Sequence, residues 1–143
     1  MVRLTVFVAA IYGALGVLFG AYRAHGLGKA LLAAELSASQ IAVRLDNLSV
    51  AVQYDLIHAV VLLSLATLQL QSRSKFLTLA AIFFALGIFL FSGSLALWAI
   101  TGQWLHPLLP PSGGLLLIAG WIVLAVYAAC RQRVQATRIP VSL

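Results

Sequence analysis

Four polar side chains capable of chemistry lie within apolar runs of this chain. Asp55 and His58 are three residues apart, which places them on neighbouring positions of one helix face. Ser92 and Ser94 flank Gly93 in a later apolar run. An ionisable group at membrane depth is costly and is rarely kept without a partner or a task. The Asp55–His58 pair could therefore handle a proton or bind a ligand, or it could cap other helices and stay wet at the membrane surface.

The sequence lacks the patterns typical of catalytic and metal sites. A nucleophilic serine needs a base and an oxyanion site, and the pattern Gly-x-Ser-x-Gly does not occur. His25, His58 and His106 have no histidine partner four residues away, and no cysteine or acidic cluster completes a metal site. Two histidines on facing helices can hold a haem, but His25 lies at a glycine-flanked turn. We expect a non-enzymatic protein with no metal, haem or other cofactor.

The composition indicates a membrane protein. Of 143 residues, 63% are hydrophobic and 8% are charged, whereas a soluble domain carries about 25% charged residues. The formal charge of +6 could suggest nucleic acid, but the basic residues stand at the ends of apolar runs rather than in a stripe with aromatics. The single cysteine, Cys130, excludes an intramolecular disulfide. We expect the lipid bilayer, and no nucleic acid, as a partner.

Four apolar runs predict an all-α integral membrane protein, a four-transmembrane-helix bundle in a single domain, 1–143. The first run is longer than the apolar core of a secretory signal and is followed by a poor cleavage site, so we expect it to remain as a span. No charged residue interrupts the third run. The predicted spans are about 4–22, 50–70, 76–100 and 112–130.

The stretch between the first two spans is polar and is expected to break at Gly26 and Gly28. Ser37, with Gln40 three residues further on, fits a capping box. This pattern predicts that the second helix begins near Ser39. The first part of that helix has apolar residues at helical spacing, which favours an amphipathic section outside the bilayer.

Positive charge is concentrated at one end of the predicted bundle. Four spans place both termini on one side, which collects six basic residues and no acidic residue. The positive-inside rule then places this side, with a basic tail at 131–143, in the cytoplasm. The amphipathic segment, about 29–49, would lie on the other side. The basic residues are Arg3, Arg73, Lys75, Arg131, Arg133 and Arg138.

This topology gives the polar side chains of the spans a common depth near the outer surface. The second helix descends from that surface, the third ascends to it and the fourth descends again. Trp104 and Trp121 also suit the interface, although Trp121 could instead pack inside the bundle. The predicted polar layer, which would supply any ligand-binding residues, consists of Arg23, His25, Tyr54, Asp55, His58, Ser92, Ser94, Trp98 and Ser112.

Small residues predict close helix packing. Gly16 and Gly20 form a small-xxx-small pair that lets another helix approach. Gly113 and Gly114 follow Pro111 and fit a helix start, although free N–H groups there could also face an anion. Such faces suit association with other membrane subunits or with further copies of the chain. The predicted packing residues are Gly13, Gly16, Gly20, Gly93, Gly113, Gly114 and Gly120.

Motifs in all four spans resemble a known family. The matching segments are Gly-Ala-Tyr-Arg-Ala-His-Gly-Leu at 20–27, Tyr54 to Ala59, Phe-Ser-Gly-Ser-Leu at 91–95, Pro-Ser-Gly-Gly at 111–114 and Gly-Trp at 120–121. In this order they resemble the transmembrane-protein-256 family, also called domain of unknown function 423. The resemblance implies a small four-span protein of the bacterial inner membrane. It implies no established activity.

Two departures from the family pattern suggest an ion pair. The family usually has glycine at the position of Arg23 and glutamine at the position of Asp55. Because one change adds a positive charge and the other a negative charge in the same layer, we hypothesise that the two side chains pair.

We expect the protein to be a small scaffold or an accessory subunit of a larger membrane complex. The alternative is a small transporter or channel-like protein that binds a solute or proton at the polar layer. A haem- or metal-binding protein or a membrane enzyme is the third possibility.

Overall fold

The computed structural model describes residues 1–136, with side chains as far as Arg131; of the predicted basic tail, residues 137–143 lie outside the described residues. The described chain is helical, without strands, and the predicted fold class is confirmed. Its elements are α1 (Val2–Tyr22), a π-helical turn (Arg23–Leu27), α2 (Gly28–Ala33), α3 (Ala38–Gln71), α4 (Lys75–Thr101) and α5 (Leu109–Ala136).

Four helical stretches are long and apolar enough to cross a membrane. The first runs through α1, the π-helical turn and α2 over 32 residues, and α3 alone has 34 residues. At 1.5 Å per residue each is about 50 Å long, against about 30 Å of hydrocarbon in a bilayer. Each must therefore extend past the hydrocarbon at one end. The exact span boundaries, and the side that faces the cytoplasm, stay predictions.

The predicted break at Gly26 and Gly28 is wrong. The chain stays helical through both residues, first in the π-helical turn and then in α2. Leu27 and Leu31 are buried there in one apolar cluster with Leu48 of α3. Burying a leucine contributes about 1.5–3 kcal/mol, which outweighs the roughly 0.5–1 kcal/mol that a glycine costs in a helix.

The capping box at the start of α3 is confirmed. The Ser37 hydroxyl accepts a hydrogen bond from the Gln40 N–H, and the Gln40 side chain accepts one from the Ser37 N–H. These two bonds satisfy donors that the first turn of a helix leaves without a partner. The helix begins at Ala38, one residue before the predicted start.

The spanning helices pack in the order α1, α3, α4, α5. Because these neighbours are antiparallel, the start of α1, the α3–α4 turn and Arg131 lie at one end, which we call the basic end. Residues 23–37 and 102–108 lie at the opposite end, the loop end. α1 packs mainly on α3 and has little contact with α4, so the two helices diverge over the surface of α3.

Two apolar clusters fill the bundle at different heights. The one nearer the basic end contains Leu65, Leu77 and Phe84. The one nearer the loop end contains Leu48 and Ala99. Four buried polar side chains of α3 and α4, at positions 55, 58, 92 and 94, lie in the zone between them.

Candidate functional site

Four residues of the predicted polar layer are buried in the middle of the bundle: Asp55, His58, Ser92 and Ser94, each exposed by 8% or less. Asp55 lies 16 residues before the end of α3, and Ser92 lies 17 residues after the start of α4. At 1.5 Å per residue both are about 25 Å from the basic end. The antiparallel pairing of α3 and α4 therefore brings these two side chains to one depth.

Three buried atoms in this zone have no hydrogen-bond partner within the described part of the chain. They are Asp55 Oδ2, His58 Nε2 and Ser92 Oγ, and we call them the open polar atoms. Buried polar groups in proteins are nearly always hydrogen-bonded, because an unpaired one loses its solvation without compensation. The open polar atoms are therefore the clearest sign that this zone receives a further group.

Asp55 points towards α1. A Cβ atom at Gly16 would lie 2.6 Å from Asp55 Oδ2 and 2.6 Å from Leu56 Cδ2. The carboxyl group therefore occupies space that any other residue at position 16 would need. The absence of a side chain at Gly16 lets α1 lie close to α3 while the carboxyl group stays between them.

The divergence of α1 from α4 leaves a cleft of about 180 Å³ over α3. Residues of α1 line part of this cleft. Asp55 of α3 and Ile88 and Ser92 of α4 are among the residues that line the rest. We call it the lateral cleft, because two of its lining residues, Phe89 and Gly93, are exposed on the outer surface of the bundle. Apart from Tyr12, whose hydroxyl bonds to the Ala85 carbonyl, the other lining residues are apolar, so Asp55 and Ser92 are the groups that can select an occupant.

Tyr12 ties α1 to α4 beside the lateral cleft. Its hydroxyl donates a hydrogen bond of 2.8 Å to the carbonyl of Ala85, and its side chain lines the cleft. Tyr12 and Ala85 are each ten residues from the start of their helices, so the bond lies about 15 Å from the basic end. It therefore joins the two helices on the basic-end side of Asp55.

His58 does not line the lateral cleft. Its Nδ1 donates to the Tyr54 carbonyl at 2.8 Å, and its ring lies 5.5 Å from that of Phe84 and 6.2 Å from that of Trp121. Phe84 and Trp121 also meet edge to face at 5.2 Å. Asp55 and His58 thus share a helix but face different surroundings, so the structure does not place them in one pocket.

The two serines of α4 differ in their bonding. Ser94 Oγ donates to the carbonyls of Leu90 and Phe91 in its own helix, as serines in membrane helices often do. Ser92 carries one of the open polar atoms and lines the lateral cleft. Of the two hydroxyls, that of Ser92 is the one without a hydrogen bond in the described chain.

The remaining members of the predicted polar layer lie elsewhere. His25 and Arg23 are exposed in the π-helical turn. Tyr54 is 41% exposed, with its ring 4.7 Å from that of Phe91. The others bond or stack locally near the loop end: Trp98 stacks on Trp104 at 5.0 Å, and Ser112 Oγ donates to the Leu109 carbonyl at 2.9 Å.

The hypothesised ion pair between Arg23 and Asp55 is wrong. The Arg23 Nε–H donates to the backbone carbonyl of Leu45 at 3.0 Å, and Asp55 Oδ2 has no partner in the described chain. Arg23 is exposed at the start of the π-helical turn, whereas Asp55 is buried against Gly16 one to two turns earlier along α1. Because the two side chains lie at different depths along the bundle, they do not form an ion pair in the described structure.

The predicted packing glycines fall into three groups. A Cβ at Gly16, Gly113 or Gly120 would lie within 3 Å of a neighbouring helix, so these residues form close contacts. At Gly20 and Gly114 a Cβ would make an ordinary van der Waals contact. The packing role expected of Gly13 and Gly93 is not found in the described structure, since a Cβ there would meet nothing within 4 Å.

Three polar residues that contact other helices were missed. Thr5 Oγ1 lies 2.9 Å from Gln69 Oε1, and Gln69 Nε2 lies 3.4 Å from the Leu77 carbonyl, which joins α1, α3 and α4 near the basic end. Tyr12 is the third. Each is a polar side chain inside an apolar run, and this sequence pattern would have identified it as a candidate. They were overlooked because they lie outside the predicted layer.

Histidines of the described chain do not converge. His25 and His106 are exposed at the loop end, whereas His58 is buried about 20 Å from the basic end. Among the described residues, no three His, Cys, Asp or Glu side chains come together as metal ligands would.

A helical bundle with four spans and buried polar groups at membrane depth defines a class, the small multi-span membrane proteins. Within that class, the family described as "Protein of unknown function (DUF423)" matches residues 19–114. The chain belongs to this family, and the resemblance predicted from its motifs is confirmed.

Two bacterial relatives cover most of the chain. The UPF0382 inner membrane protein YgdD of Escherichia coli (strain K12) is 32% identical over 126 residues, which are 88% of this chain and 89% of the relative. The UPF0382 membrane protein of Haemophilus influenzae is 33% identical over 118 residues, 82% of this chain and 87% of the relative. No solved structure matches the chain significantly.

Proposed function

We propose that this protein is a non-enzymatic accessory subunit of a larger complex in the bacterial inner membrane, with both termini in the cytoplasm. It binds its partner on the face formed by α1 and α4, where one side chain of a partner transmembrane helix enters the lateral cleft. The observation that carries the proposal is that Asp55 and Ser92 line one cleft at one depth and that each carries one of the open polar atoms.

The size of the lateral cleft favours a side chain over a free metabolite. Its volume is about 180 Å³, whereas sites for small molecules usually enclose about 300–1,000 Å³. A partner helix would also cover the lining residues Leu15 and Phe89, which are exposed and would otherwise face lipid.

The chemistry of the lateral cleft favours a hydrogen-bond donor as its occupant. A carboxylate oxygen accepts hydrogen bonds, and a serine hydroxyl can accept or donate one. An amide, hydroxyl or cationic group on the partner could bond to Asp55 and Ser92 together. Hydrogen bonds between membrane helices contribute about 0.6–2 kcal/mol each, enough to select one partner and register without requiring a large interface.

The same arrangement favours a non-enzymatic role. A hydrolytic site needs a nucleophile, a base and an orienting group within hydrogen-bond reach. Ser92 faces the lateral cleft, whereas His58 packs against Phe84 and Trp121. The candidate nucleophile, Ser92, and the candidate base, His58, therefore lie in different surroundings of the described chain.

Site-specific photocrosslinking in native membranes tests the proposal. A photoreactive amino acid at Phe89, which is 65% exposed beside the lateral cleft, should give one discrete adduct with a different membrane protein. The matched control is Ile122 on α5, 59% exposed, which should give none. Gly93→Leu should abolish the adduct, since a side chain there has room in this fold but narrows the cleft. Equal adducts from both positions, or an adduct only with a second copy of the chain, would contradict an accessory role.

Proton or solute binding is the second candidate, because Asp55 is a buried carboxylic acid at membrane depth and such groups often mark proton paths. Purified protein in liposomes with a pH-sensitive dye inside distinguishes the two functions. Proton or solute movement that is lost with Asp55→Asn would favour transport. A silent protein that still crosslinks from Phe89 would favour the accessory role.

A further inference from the structure

A cavity of about 650 Å³ lies at the basic end between the start of α1 and the α3–α4 turn. We propose that this basic-end cavity binds an anionic phospholipid, with the phosphate group among its cationic side chains. The site is separate from the lateral cleft and does not depend on the accessory role. Six of its lining residues carry the argument: Arg3, Gln69, Ser72, Arg73, Lys75 and Thr78.

The charges around the basic-end cavity are all positive. Arg3, Arg73 and Lys75 line it, as does Met1. The three acidic residues of the chain are Glu35, Asp46 and Asp55, and none lines the cavity. Glu35 and Asp46 belong to segments at or near the loop end, and Asp55 is about 24 Å along α3 from the turn. Three cationic side chains around one cavity without a described counter-ion attract a phosphate group, as clustered cations do at membrane surfaces.

Neutral donors in the cavity add specificity. The hydroxyls of Ser72 and Thr78 line the cavity, and neither forms a hydrogen bond to any described residue. Ser74 differs, because its hydroxyl accepts from the Phe76 N–H as the N-cap of α4. Two uncommitted hydroxyls beside three cationic side chains match a phosphate, whose oxygens accept several hydrogen bonds at once.

An apolar groove continues from the basic-end cavity and identifies the phosphate as that of a lipid. The groove shares Met1 and Thr78 with the cavity and runs between α1 and α4. Leu4, Val8 and Ile82 line it further along. A lipid whose phosphate group binds in the cavity can therefore lay the first part of an acyl chain in this groove of about 80 Å³, a contact that a free phosphate ion cannot make. The cavity also lies at the basic end of helices that are long and apolar enough to cross a membrane, where a lipid headgroup would meet the protein.

Native mass spectrometry of the full-length protein in detergent tests this site. Titration with phosphatidylglycerol should give saturable binding of one lipid, with phosphatidylcholine binding at least tenfold more weakly. Inorganic phosphate and glycerol phosphate should compete poorly. Competition by either at concentrations equal to the lipid would show that no acyl chain contributes and would overturn the proposal.

Three variants separate a built site from general attraction to anionic lipids. The double variant Arg73→Gln, Lys75→Gln should weaken phosphatidylglycerol binding about 25-fold, at about fivefold for each cation. The matched control Lys29→Gln, an exposed residue of α2, should leave the affinity unchanged. The double variant Ser72→Ala, Thr78→Val keeps every charge and should still weaken binding several-fold. If Lys29→Gln weakened binding about fivefold, the loss expected for each cation of the cavity, or if the hydroxyl variant had no effect, the interaction would be nonspecific and the proposal would fail.

Discussion

Gly16 of α1 faces the carboxyl group of Asp55 on α3 so closely that a Cβ atom at position 16 would lie 2.6 Å from Asp55 Oδ2. The two residues therefore fit as a pair, one supplying the space that the other fills. This relationship fixes how near α1 can lie to α3 and keeps the carboxyl group facing α1 and the lateral cleft.

Gly16→Ala should lower the free energy of unfolding by about 1–3 kcal/mol, since overpacking a closed contact has that cost. Denaturant titration in detergent, followed by circular dichroism, measures the loss. Gly13→Ala is the matched control three residues earlier, where a Cβ meets nothing within 4 Å. It should be neutral or slightly stabilising, because alanine favours the helix over glycine. Equal effects of the two substitutions would show that the contact with Asp55 is not tight.

Gly113→Ala should disrupt the packing of α5 on α4. A Cβ there would overlap the backbone nitrogen of Phe91 and lie 2.9 Å from the carbonyl oxygen of Gly87, and backbone atoms cannot move aside as a side chain can. We expect a destabilisation of about 1–3 kcal/mol or more, measured by thermal unfolding in detergent. Gly114→Ala places its Cβ 3.9 Å from the Phe91 ring and should be nearly neutral. A Gly114→Ala variant as unstable as Gly113→Ala would contradict this packing.

Arg23 and Asp55 should contribute to stability independently. Because Arg23 bonds to the Leu45 carbonyl and forms no ion pair with Asp55 in the described structure, a double-mutant cycle with Arg23→Gln and Asp55→Asn should give a coupling energy below about 0.5 kcal/mol. Chemical denaturation of the four proteins supplies the cycle. A favourable coupling above 1 kcal/mol would restore the ion pair suggested by the sequence.

Thr5 and Gln69 should instead be coupled. Their side chains are 2.9 Å apart and buried between α1 and α3, so a cycle with Thr5→Val and Gln69→Leu should give about 0.6–1.7 kcal/mol, the range found for hydrogen bonds between membrane helices. The same denaturation measurement applies. A coupling near zero here would mean that each side chain finds another partner when the first is removed.

Several features could be predicted from local sequence because local rules produce them. The apolar runs predict the four spanning helices, and the Ser37–Gln40 pattern predicts the start of α3 to within one residue. The polar side chains of α3 and α4 at positions 55, 58, 92 and 94 stand out in sequence and are buried in the fold. Each of these features depends on composition or on spacings of a few residues, and these properties are the same however the chain packs.

Other features needed the packed bundle. The helix continues through Gly26 and Gly28 because Leu27 and Leu31 find a buried surface on α3, and no local pattern reveals that surface. Arg23 bonds to Leu45 rather than to Asp55 because the two side chains differ in depth. The contact between Gly87 and Gly113 depends on where α4 and α5 meet.

The amino-acid sequence alone determined that this is a four-span helical membrane protein of its family, since hydrophobic length, charge placement and motif order are properties of the chain itself. Tertiary structure alone decided that Asp55 and Ser92 share a cleft while His58, three residues from Asp55, faces an aromatic cluster. The reason is rotation: residues three apart on a helix point about 60° away from each other around its axis, and only the neighbouring helices decide which of the two directions is cleft and which is core.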